Sequence, residues 1–203
     1  MRLSWKSLTL MSVAAVLLIG GGWGYLHDAS AAAAPDRPKI GEKAACNIDR
    51  YPLVSVNKGP LVKAATQGAI KAAIGKTYIN PDGLEVTELK VEDTLTKGTV
   101  EGVGELTITW DRDREVPMSS LTANQKESSF PATQVMRFNP VLVLNGETFR
   151  TDPDAAPANL VNSDVKYFPP PSGTDYVLTN PLTLVSDRGN TITIPPGRAV
   201  TTK

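Results

Sequence analysis

Pro60-Leu61-Val62-Lys63-Ala64-Ala65-Thr66-Gln67-Gly68-Ala69-Ile70-Lys71-Ala72-Ala73-Ile74-Gly75 is the stretch on which the fold class turns. Pro60 suits a first helical turn, and Gly75 suits a C-terminal stop. Between them Leu61, Ala65, Ala69, Ala72 and Ala73 recur at three- and four-residue steps, while Lys63, Gln67 and Lys71 fall four apart on a wet side. The spacing predicts a helix over 60–74 whose small-residue face, with Gly68, lies close against a sheet.

Downstream the period changes to two. Asn80-Pro81-Asp82-Gly83 is a turn, with proline where it presets φ and glycine where φ turns positive. Leu84–Val91 is a candidate strand. Thr99–Trp110 is a stronger one: Val100, Leu106, Ile108 and Trp110 share one face, and Thr99, Glu101, Glu105, Thr107 and Thr109 share the other. The string Asp111-Arg112-Asp113-Arg114-Glu115 alternates in sign. Its intervening arginines make it a solvated, self-paired turn rather than a calcium loop. Residues 117–131 show no apolar periodicity and are expected to be a long exposed loop.

Strand signals resume at Thr133–Phe138. Asn145-Gly146, the favoured two-residue primed turn, then joins Val141–Leu144 to Glu147–Arg150 in the clearest hairpin of the chain. Val165–Phe168 reads as a short strand stopped by Pro169-Pro170-Pro171, which is taken as a stiff connection rather than a polyproline ligand. Leu182–Ser186 and Thr191–Ile194 form a second hairpin, and Pro195-Pro196-Gly197 a final turn. One helix followed by seven or eight short strands is an α+β order. The expected architecture is a β-rich, mainly antiparallel sheet curling around the helix, with a β-sandwich carrying a peripheral helix as the alternative.

Upstream, residues 1–34 read as an export signal. Arg2 and Lys6 form a basic n-region, Leu8–Leu26 carries no charge, and Ala29-Ser30-Ala31 supplies small residues at a cleavage spacing. An uncleaved membrane anchor is the competing reading, since the run approaches a bilayer span and Trp23 and Tyr25 sit where interfacial aromatics would. Both readings export the body. Residues 35–46 are a flexible spacer rich in alanine and charge, and 47–203 a single domain.

The 203 residues carry 21 basic and 21 acidic side chains, so no basic field recruits nucleic acid. The one histidine, His27, lies within the signal, so the body lacks the imidazole that serine and cysteine hydrolases, His-ligated zinc and haem require. Cys46 stands alone, with no partner for an intrachain disulfide or a CxxC pair. It reads as a small packed thiol or one that pairs between chains. Walker, dinucleotide, nucleophile-elbow and zinc motifs are all missing from the sequence. No catalytic set, metal ligand or cofactor is assigned.

The function expected is therefore that of an exported, non-catalytic module of the cell envelope or secreted fraction. It binds an envelope or extracellular protein, a polymer or an apolar ligand through a sheet face or long loops, and touches a membrane only if residues 8–26 are retained. Trp110, Tyr167 and Phe168 are the candidate binding residues. The alternative is a glycan hydrolase working with carboxylates alone, for which Asp111, Asp113, Asp152 and Asp154 offer acids at strand ends and in loops.

Overall fold

Residues 61–79 form one long β-strand, and with it the expected helix and the α+β class fall away. The computed structural model describes residues 38–203, and these are organised as an all-β, antiparallel fold; the export segment lies outside the described residues. The error has a simple geometric cause. Residues four apart share a face in a helix and in a strand alike, so Lys63, Gln67 and Lys71 could not discriminate. The intervening residues do. Ala64, Thr66, Ile70 and Ile74 are buried, with Val62, Gly68 and Ala72 half-buried between them, whereas Leu61 and Ala65, assigned to the helical packing face, are exposed.

Fourteen strands follow in order: β1 (Lys43–Arg50), β2 (Leu53–Val56), β3 (Leu61–Ile79), β4 (Glu85–Val100), β5 (Gly104–Trp110), β6 (Ser119–Gln125), β7 (Ser128–Phe138), β8 (Pro140–Leu144), β9 (Glu147–Thr151), β10 (Ala158–Val165), β11 (Asp175–Leu178), β12 (Leu182–Ser186), β13 (Thr191–Ile194) and β14 (Gly197–Thr202). Their register resolves them into eight longer legs. β1 and β2 pair in turn with one edge of β3, and β5 and β6 with one edge of β4. β7 with β8, β9 with β10, β11 with β12, and β13 with β14 likewise run on from one another, each leg antiparallel to its neighbours. The last leg returns to the first, through β14 to β1 and β13 to β2. The eight legs therefore close into an up-and-down barrel, in which every leg has a neighbour on both sides.

Six legs are interrupted part-way, and every interruption has a proline in it or beside it: Pro52, Pro117, Pro140, Pro153 and Pro157, Pro181, and Pro195-Pro196. A proline brings no N–H to the ladder, so it suits the ends of these strands and the gaps between them. The breaks face one another. Arg50 lies opposite Val200, Leu178 opposite Gly197, Ala158 opposite Phe138, and Trp110 opposite Pro140, which puts all six at one level, the waist of the barrel. β3 and β4 alone cross the waist unbroken. They approach so closely there that a Cβ on Gly68 would lie 1.9 Å from the Leu95 carbonyl oxygen, and one on Gly98 the same distance from that of Ala65.

Other expectations meet the structure more closely. Asn145 and Gly146 have φ of 50° and 81°, as a primed hairpin turn requires. Val100, Leu106 and Ile108 are buried on one face, although β4 and β5 are two strands joined by a turn at 101–103. The loop expected at 117–131 is mostly the β6–β7 hairpin. Its inward positions are Ser119, Leu121, Ala123 and Ala132, too small and polar a set to register as an apolar alternation.

Candidate functional site

The barrel interior is packed, and one of its gaps lies where the strands break. A cavity of about 40 Å³ sits at the waist, lined by break residues such as Pro52, Pro140 and Ala158 together with Ile108, Leu142 and Leu160. Into this apolar lining projects Arg50, the last residue of β1. Strand alternation dictates its direction: Ile48 and Arg50 point inward, and Asp49 between them pairs with Lys203 at 2.9 Å. Arg50 is only 4% exposed. Its Nη2 donates to Thr94 Oγ1 at 2.8 Å, and its guanidinium lies 5.4 Å from the Phe138 ring centre. Nε has no partner, and none of the ion pairs among the described residues includes Arg50. Burial pulls its pKa down to about 10, so it stays charged at neutral pH.

Outside the waist cavity, at the same level, the wall opens. β6 pairs with β4 at Val86–Leu89 and β5 pairs with it at Thr96–Val100, so the β4 edge between them has no strand partner. The 111–118 crossover swings away from that edge and encloses a cleft of about 340 Å³. Leu89, Val91, Trp110, Val116 and Met118 give it an apolar surface, and Lys90, Arg112, Arg114 and Arg137 surround Glu115 with positive charge. Arg114 anchors the crossover by donating to Thr151 Oγ1 and to the carbonyls of Pro153 and Ala155, and Arg137 donates to the Met118 carbonyl. Cleft and cavity share elements. Ile108 lines the cavity and Trp110, two residues on, lines the cleft; Phe138 lines the cavity and Arg137 the cleft. Trp110 Nε1 and the side-chain amide of Asn139, at the break between β7 and β8, are buried without partners.

Of the three aromatics expected to bind, only Trp110 reaches this site. Phe168 lines a second interior cavity of about 30 Å³ with Cys46, Gln134 and Tyr176, and Tyr167 is exposed. Tyr176 donates to Gln134 Oε1 at 2.6 Å, so the polar groups of that cavity satisfy one another. Cys46 is half-buried there, and burial pushes its thiol up. The acids considered for hydrolysis lie on the 111–115 and 152–154 segments. Asp111 pairs with Arg150 at 3.0 Å, and the side chains of Asp111 and Asp152 accept from the backbone N–H groups of Asp113 and Asp154. Glu115 is the one carboxylate lining the cleft.

Arg50 escaped the sequence reading because nothing around it marks it as inward. The surrounding Asn47-Ile48-Asp49-Arg50-Tyr51 looks like ordinary amphipathic surface.

A solved structure shares this architecture. The chain is similar in fold to DynF from the dynemicin biosynthesis pathway of Micromonospora chersina, with a TM-score of 0.64 and 14% identity, over 85% of each chain. At that identity the likeness carries the fold alone. No protein-family model matches the sequence, and no curated protein does either.

Proposed function

We propose that the protein is an exported, non-catalytic binding module that takes up a small, mainly apolar molecule at the waist of its barrel. The observation that carries this reading is the cleft itself: the barrel wall parts beside β4, and the opening is lined by Trp110, Val116 and Met118 over the core residues Leu89 and Val91. A concave, apolar site with a few convergent polar groups is the ordinary form of a small-molecule pocket. The buried, unpartnered Nε1 of Trp110 adds a donor that a ligand can use. Export rests on the basic n-region, the uncharged run 8–26 and the Ala-rich cleavage segment.

The test is uptake of a neutral apolar dye, Nile red, by the purified protein. Saturable one-to-one binding that weakens at least tenfold in Met118→Asp, a change at the mouth of the cleft, is the expected result. The absence of saturable binding, or an affinity indifferent to Met118→Asp, would remove the cleft from consideration.

A further inference from the structure

We propose that the ligand of the waist is a monocarboxylic acid with an apolar tail, its carboxylate held by Arg50 and its tail lodged in the cleft beside Trp110. This rests on the uptake of a small molecule at the waist and names its chemical class.

Three observations lead there. Arg50 is buried, faces an apolar cavity, and has an Nε–H without a partner and no ion-pairing carboxylate. A guanidinium does not shed its proton near neutral pH, so the fold bears the desolvation of a charge that a hydroxyl and an aromatic face offset only in part. An anion is the species that completes such a site, and a planar carboxylate matches the guanidinium fork with two parallel hydrogen bonds. The net charge narrows the class further. One cation in an apolar lining is neutralised by one negative charge, whereas a phosphate monoester would bring a second into the low-dielectric interior uncompensated.

The location supplies the rest. The waist cavity, at about 40 Å³, admits a head group and little more, while the cleft at the same level has about 340 Å³. Thr94, which fixes the guanidinium, belongs to the same stretch of β4 without a partner strand whose Lys90 and Val91 line the cleft. Lys90, Arg112, Arg114 and Arg137 outnumber the nearby carboxylates, Glu115 and the Asp93 that pairs with Arg112 at 2.9 Å, so the mouth keeps an excess of positive charge that draws an anion in. The second interior cavity contrasts with this one: it has no cation, and its Tyr176 and Gln134 are already bonded to each other.

The experiment compares octanoate with 1-octanol, equal in chain length and different in head group, by calorimetry on the wild-type protein and on Arg50→Met. Wild type is expected to bind octanoate at least tenfold more tightly than 1-octanol, and Arg50→Met to lose that preference while still binding 1-octanol. A second measurement needs no variant: the Arg50 Nε–H resonance of the wild-type protein should shift on titration with octanoate and stay in place with 1-octanol. Equal affinities in wild type, or a preference that survives Arg50→Met and so arises at the rim arginines, would overturn the assignment of the head group while leaving uptake at the waist intact. Failure of both compounds to bind, together with failure of Nile red, would overturn uptake itself.

Discussion

The two interior cavities share one barrel and a similar apolar lining, and they treat their polar groups in opposite ways. Around Cys46 and Tyr176, away from the waist, the phenol donates to Gln134 at 2.6 Å, a pair closed within the protein. At the waist the strands break, and Arg50, Trp110 and Asn139 keep buried polar atoms that nothing in the protein satisfies. A buried polar group left open costs about 1–3 kcal/mol, and more when charged. Polar groups that satisfy each other stabilise the fold. Groups left open at a cavity are available to a ligand, and that difference between the two cavities is the ground for proposing uptake at the waist and not beside Tyr176.

Substitutions test that separation. The largest effect is expected from Ile108→Ala, which removes a 3% exposed side chain from the wall of the waist cavity. It should cost about 2–5 kcal/mol in denaturant titration through lost burial and a larger void. It should also admit branched acids that the wild type excludes. A loss well under about 1 kcal/mol would mean that the waist is loosely packed rather than a shaped cavity.

A smaller effect sharpens the contrast between Tyr176 and Arg50. Tyr176→Phe leaves Gln134 without its internal partner and should lower stability by about 1–3 kcal/mol. Arg50→Met replaces an incompletely paired charge by an apolar side chain of similar length and should leave stability unchanged or raised. Unfolding midpoints of the two variants decide the matter. If Arg50→Met were the more damaging, Arg50 would belong with the structural pairs.

The smallest effect concerns the inverse neighbour of Arg50. The hydrogen bond from Lys203 holds Asp49 below its ordinary value of 3.8, with help from Tyr51 and against the opposing effect of burial. A carboxylate whose folded pKa is lowered contributes stability that is full above its unfolded value and is lost as pH falls through the folded one. Wild type should therefore exceed Asp49→Asn in urea midpoint at pH 6, and the two should converge as pH drops below about 4. A gap that does not narrow as pH falls would assign the loss to packing rather than to the ionised pair.

Much of the fold was legible in short-range chemistry. Asn145-Gly146 specified its hairpin, Asn80–Gly83 its turn, and Val100, Leu106 and Ile108 their inward face, because turn geometry and side-chain alternation are local properties. The stretch at 60–74 was not legible. Alanine favours helices intrinsically, and that preference gave way to the ladders that β1, β2 and β4 form along β3. The alanines and Gly68 serve the strand by keeping side chains small where β3 and β4 come close at the waist.

The site divides in the same manner. Sequence by itself determined that the body has no histidine, one cysteine and balanced charge, and it marked Trp110 as a candidate that the structure places in the cleft, since these depend on residue identity and alternation alone. Sequence also placed the prolines that interrupt six legs, but each proline read in isolation is only a turn or a stiff connection. Barrel closure brings the breaks to one level, opens the wall beside β4 and sets the inward-pointing Arg50 among Ile108, Phe138 and Leu160. Those are consequences of register between legs far apart in the chain. The burial of a charge depends on what lies across the barrel from it, and no local pattern of residues encodes that.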